Sequence, residues 1–139
     1  MKASIIIMDR HFTDAEEDPE FGKLQTVGTL EKEGNGFLIK YKESVESADD
    51  CDTSLKIENR RITMVRNGPY NTRMIFEDGK RHTCQYDTPQ GSLYIGIFTN
   101  AMFADFDEEG GTLNFAYSID CNGDLISENE LKIFVEVKE

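Results

Sequence analysis

Polar and apolar residues alternate along most of this chain with a period of two, the spacing at which successive side chains of a strand point to opposite faces. In the run from Phe37 to Lys42, Phe37, Ile39 and Tyr41 form one face, and Lys40 and Lys42 lie on the other. Leu55 and Ile57 alternate with Ser54, Lys56 and Glu58. Leu113, Phe115, Tyr117 and Ile119 repeat the pattern, as do Leu131, Ile133, Val135 and Val137 near the C-terminus. Helical stripes are scarce. The pattern predicts strands near residues 2 to 8, 21 to 33, 36 to 43, 53 to 58, 61 to 67, 73 to 77, 80 to 87, 92 to 106, 111 to 120 and 125 to 137.

Between these runs stand Asn35-Gly36, Asn67-Gly68, Asp78-Gly79 and Asn122-Gly123, pairs that tolerate positive φ and suit the tight turns joining antiparallel strands. Glu109-Gly110-Gly111 is a looser turn. The acidic stretch from Asp14 to Glu20, with Pro19, and a second acidic loop through Asp49, Asp50 and Asp52 read as exposed connections. No helical crossover long enough for a βαβ unit is present, so the strands form an antiparallel meander. Closing such a meander removes its open edges, and the expected fold is an all-β, up-and-down, closed barrel of about 8 to 10 strands. The segment Leu93 to Phe106 is apolar on both faces, with Leu93, Ile95, Ile97 and Phe103 expected on one and Tyr94, Phe98, Met102 and Phe106 on the other. One face then needs a cover, either a partner subunit or a bend in the strand, for which Gly96 is the candidate position.

The length of 139 residues predicts a single domain, 1–139. Leu, Ile, Val and Phe make up about a quarter of the chain, enough for one core. With 27 acidic against 15 basic residues the net charge is −12, which opposes nucleic acid and anionic membranes as partners, because phosphate binding needs a basic surface. Charged residues interrupt every hydrophobic run before it reaches the length of a membrane span or a signal segment. Cys51, Cys84 and Cys121 lie far apart and only two histidines exist to complete a zinc shell, so reduced thiols and a cytoplasmic location are expected.

From Arg66 onward the chain resembles the YwiB-like family of bacterial calycin-like β-barrels. The resemblance rests on Arg66-Asn67-Gly68, Met74-Ile75-Phe76, Gly79, Tyr86-Asp87-Thr88-Pro89-Gln90-Gly91, Thr99 and the closing Ser127-Glu128-Asn129-Glu130-Leu131. It implies a barrel similar in outline to lipocalins and fatty-acid-binding proteins, which carry small apolar ligands, and brings no catalytic residues with it.

Few residues carry candidate chemistry. Asp105-Phe-Asp107-Glu-Glu109-Gly110 resembles the opening of a calcium loop, but its twelfth position is Ala116 and a strand is expected where the exiting helix should be, so no metal site follows. His82, Cys84 and Tyr86 share one strand face, with Arg66 and Arg73 on strands expected nearby. No oxyanion donor or orienting third residue accompanies them, so no catalytic set is assigned and no cofactor is expected. Arg66, whose face neighbours Ile62 and Met64 are apolar, is the candidate anchor for the acidic head of an amphipathic ligand. Met64, Arg73, Met74, His82 and Tyr86 are the other candidate binding residues. The first reading is therefore a barrel that binds a small apolar or amphipathic molecule. The alternatives are an interaction or scaffold barrel acting as a homodimer through the two-faced strand, and a cofactor-independent enzyme at the barrel mouth.

Overall fold

The structure is a computed structural model that describes residues 1–13, 20–44, 50–68, 71–88 and 90–138, with the backbone alone for residues 13, 20, 43, 44, 50 and 86–88. The acidic connection expected at residues 14 to 19, Asp49 of the second acidic loop and Pro89 lie outside the described residues. Ten antiparallel strands follow in order: β1 (Lys2–Thr13), β2 (Glu20–Glu33), β3 (Gly36–Ser44), β4 (Asp50–Glu58), β5 (Arg61–Asn67), β6 (Thr72–Glu77), β7 (Arg81–Thr88), β8 (Gly91–Asp107), β9 (Gly110–Cys121) and β10 (Asp124–Val137). Each pairs with its neighbour in sequence, and β1 closes the barrel by pairing with β10 from Ala3↔Val137 to Thr13↔Ser127. Among the described residues no helix is long and apolar enough to cross a membrane, a statement that does not extend to strands.

Several of the expected turns form where backbone freedom allows them, while the one expected at Asn67-Gly68 runs into residues 69–70, outside the described residues. Asn122 and Gly123 both take positive φ, 54° and 87°, and join β9 to β10 in a two-residue hairpin. The β2–β3 turn uses Gly34, at φ 59°, with Asn35, one position earlier than the Asn-Gly pair suggests. Asp105 to Gly110 is a β8–β9 hairpin in which the Glu109 amide donates to the Asp107 carboxylate at 2.8 Å.

Alternation turns one face of every strand inward. Ile5, Leu30, Ile39, Leu55, Ile62, Phe76, Ile97, Leu113, Phe115 and Ile133 are almost wholly buried and fill the middle of the barrel. Phe76 packs against Phe115 and Tyr117 with ring centroids 4.7 Å away in each case, and at the lower end Phe37 meets Phe106 at 5.9 Å.

The two-faced strand is resolved by a bulge, which corrects the facing expected for it. The β8–β9 register slips between Thr99 and Ala101, so the extra residue, Asn100, reverses the parity of everything after it. Ile95 and Ile97 before the bulge, and Met102 and Phe106 after it, therefore belong to or pack on the core, while Phe103 joins Tyr94 and Phe98 among the exposed residues. Gly96 is not a bend. It sits in regular ladder positions opposite Thr83 and Asp120, and its missing Cβ leaves room for the Arg81 guanidinium to lie across it. Arg81 there makes two hydrogen bonds to Asp120, Nε to Oδ2 at 3.0 Å and Nη2 to Oδ1 at 2.7 Å.

The thinnest part of the wall is the β6–β7 seam, where among the described residues only Thr72↔Tyr86 forms a ladder pair. Below it the closure depends on Glu77, which holds His82 Nε2 at 2.9 Å and Lys80 Nζ at 3.1 Å, and on the 79–80 turn, whose backbone bonds to Thr99. The His82 contact, helped by Lys80, holds the Glu77 carboxyl below its ordinary value, and Arg81 does the same for Asp120. A carboxyl lowered in the folded state contributes stability above its unfolded value and loses it as pH falls through the carboxylate range. Urea unfolding should therefore show a falling midpoint from pH 6 to pH 3.5. The fall should be shallower in the Glu77→Gln/Asp120→Asn variant, and equal slopes would contradict the role given to these contacts.

Candidate ligand site at the barrel mouth

The core does not fill the whole barrel. At the end where β1 finishes and β2 begins, a cavity of about 410 Å³ is lined by Asp9, Arg10, His11, Phe21, Gly22, Met64, Arg66, Met74, Tyr117, Asn129, Glu130 and Leu131. Register explains how residues so distant in sequence meet. Arg66 of β5 stands directly opposite Thr53 of β4 and Thr72 of β6, and Met64 opposite Met74 one step further in. Across the mouth, His11 of β1 is opposite Asn129 of β10, which is opposite Tyr117 of β9. Two polar rows thus face each other above a floor of Met64, Met74, Tyr117 and Leu131, and the floor rests on the buried Phe76 and Phe115.

The rows differ chemically. In the first, the threonine hydroxyls of Thr53 and Thr72 are buried without a hydrogen-bond partner beside the arginine. In the second, the His11 ring nitrogen Nδ1 lies 2.6 Å from the Asn129 amide oxygen, and the Asn129 amide nitrogen donates to the buried Ser127 hydroxyl at 3.1 Å. Burial pushes the Tyr117 phenol above its ordinary value, Arg66 opposes that shift and Asp9 adds to it. The phenol therefore stays protonated at neutral pH, a hydroxyl donor under the opposing electrostatic influence of a cation and an anion.

Of the residues singled out in the sequence, the structure brings Arg66, Met64 and Met74 together at this mouth. Arg73 alternates with the buried Thr72 and Met74, so it takes the opposite parity and is exposed on the outer wall. His82 is engaged by Glu77 at the β6–β7 seam, outside the cavity lining, and Cys84 is buried in the core. The Tyr86 backbone pairs with Thr72 and Leu93, and its side chain lies outside the described residues. Cys51, Cys84 and Cys121 are free thiols. Among the described residues no group of three or more His, Cys, Asp or Glu side chains is placed to hold a metal ion.

Asp9, His11, Tyr117 and Asn129 were not singled out. For the first two the signal was hidden, because β1 was expected to end where its apolar run ends at Met8. Pairing with β2 and β10 carries the strand on to Thr13 and turns its odd-numbered polar residues over the mouth. Asn129 lies in the closing motif, whose alternation of Ser127, Asn129 and Leu131 was the available clue.

An antiparallel, sequentially wound barrel with a polar-rimmed cavity at one mouth is a calycin-like barrel. Within that class, the chain belongs to the family described as "Domain of unknown function (DUF1934)", whose model matches residues 5–133. It is similar to the crystal structure of the ywiB protein from Bacillus subtilis, with 19% sequence identity and a TM-score of 0.88 over 99% of this chain and 92% of that one. At that identity the likeness concerns the fold. No curated protein matches the chain.

Proposed function

We propose that the barrel binds a compact amphipathic acid, non-covalently, in the mouth cavity. The observation that carries this reading is the inward position of Arg66 in a cavity of about 410 Å³ whose floor is apolar and whose opposite wall is polar. That volume falls in the lower part of the roughly 300–1,000 Å³ typical of ligand pockets. Buried side chains fill the middle of the barrel beneath the floor, which suits a compact ligand over a long alkyl chain, and the arginine supplies a charge-assisted hydrogen-bond donor for a carboxylate. Tyr117 adds a neutral hydroxyl donor beside it. A purely apolar ligand would strip water from the polar wall, which favours an amphipathic one.

The test uses 3-phenylpropanoate as probe and isothermal titration calorimetry as readout, preceded by native mass spectrometry of freshly purified protein to detect a passenger lost on denaturation. The Arg66→Met variant keeps the apolar stem and removes the charge. A hydrogen bond to a charged group contributes about 1.5–3 kcal/mol, so affinity should fall at least about tenfold. Equal affinity in wild type and variant would overturn the reading.

A further inference from the structure

Resting on the binding reading above, we infer that the ligand carries, besides its acid, a hydrogen-bond donor that is received by Nε2 of His11. The inference comes from the chain of contacts behind the imidazole. Ser127 is buried with 3% of its surface exposed, and its oxygen accepts from the Asn129 amide nitrogen at 3.1 Å. With its nitrogen on Ser127, the Asn129 amide presents its oxygen to His11, 2.6 Å from Nδ1. An amide oxygen only accepts, so Nδ1 carries the hydrogen. In the neutral ring the other nitrogen, Nε2, is then a bare lone pair.

Nε2 has no hydrogen-bond partner among the described residues, and His11 lines the cavity. An acceptor held this way discriminates. A ligand O–H or N–H meets it, whereas a hydrocarbon at the same place strips its water and returns nothing. Asp9, two residues earlier on the same inward parity, lines the cavity and adds an anion to that side of the mouth, while the Glu130 carboxylate at the rim is met by Lys132 at 3.6 Å and stands opposite Arg10. On the opposite wall Arg66 is suited to the acid. The ligand class is thus a hydroxy or amino acid of compact size, in which the polar substituent and the carboxylate face opposite walls. Asn129 is a positioning residue: it acts on the ligand through the ring it orients.

The experiment compares 3-phenylpropanoate with its α-, meta- and para-hydroxy derivatives on the full chain by calorimetry. At least one hydroxylated member should bind about tenfold tighter than the parent. The gain should vanish in His11→Leu, whose affinities for the parent and the hydroxylated acid should agree within about twofold, since a single neutral hydrogen bond is worth about a factor of ten. In parallel, ¹⁵N NMR of histidine-labelled protein at pH 9 should show a pyrrole-type Nδ1 and a pyridine-type Nε2 for His11, and Asn129→Ala should abolish that preference. No gain from any hydroxyl, or a gain that survives His11→Leu, overturns the inference while leaving the Arg66 reading intact. If none of the acids binds, the binding reading itself has failed, and a protonated Nε2 in the spectrum then overturns the tautomer on which the inference stands.

Discussion

Replacing Phe76 by alanine should unfold the protein roughly 10 °C or more below wild type in a calorimetric scan, and should weaken acid binding in parallel. Phe76 is fully buried on β6, and its ring sits 4.7 Å from those of Phe115 and Tyr117, the first tilted and the second edge-on. Removing a buried phenylalanine costs about 3–5 kcal/mol through lost transfer energy and the cavity left behind. Each kcal/mol corresponds to a few degrees in a domain of this size. Relaxation cannot refill the space easily, because β6 is laddered to β5 along its length and β9, which carries Phe115 and Tyr117, is laddered to both β8 and β10. The functional consequence follows from the same contact: Tyr117 is a floor residue of the mouth, and without Phe76 behind it the phenol loses its fixed place in the cavity lining. Phe76→Leu keeps most of the volume and should lose less than half as much. A Phe76→Ala protein that melts within about 3 °C of wild type would show that the barrel centre is loosely packed.

The second large effect is expected at Gly110, where β9 begins. Its φ is 133°, a conformation that L side chains rarely adopt, and a Cβ built there would run into the carbonyl oxygen of Val135 on β10. The position cannot move away cheaply. Gly110 is buried and pairs with both Asp107 and Glu136, and the neighbouring Glu109 carbonyl accepts from the Val137 amide at 2.9 Å. Gly110→Ala therefore combines backbone strain of about 1–3 kcal/mol with a clash against main chain, and should cost roughly 3 kcal/mol in urea unfolding. Gly123→Ala is the control, since it has positive φ but open space around it, and its cost should stay at about 1 kcal/mol. Equal costs at the two positions would mean that the close approach of Val135 does not matter.

The strands were legible because each carries its own evidence of alternation, and burial of one face requires nothing from elsewhere. Phe37, Ile39 and Tyr41 announce an inward face whichever strand pairs with them. Legibility failed where the pattern stopped being apolar-in and polar-out. At Asp9 and His11 the inward face of β1 turns polar while the outer face carries Arg10 and Phe12, so the apolar-in, polar-out contrast is lost just where the strand leaves the core for the mouth. It failed also at Asn100, because a bulge adds one residue without any composition signal, and a single slip exchanges the fates of Met102 and Phe103. Arg66 could be read as an inward arginine from Ile62 and Met64 alone. Arg73 could not be separated from it until the β5–β6 register, Val65 opposite Arg73, assigned it to the outer wall.

By itself, then, the sequence determined the all-β class, the ten strands, the hairpin turns and the inward parity of most of them, because these depend on neighbours a few residues apart. Which residues stand opposite one another across the mouth depends on closure of β1 onto β10 and on the stagger of ten strands. That stagger brings His11 beside Asn129 and Tyr117, and leaves Arg66 facing them. Only the tertiary structure decided it, because ladder register between distant strands is set by the packing of the whole barrel and not by any local spacing.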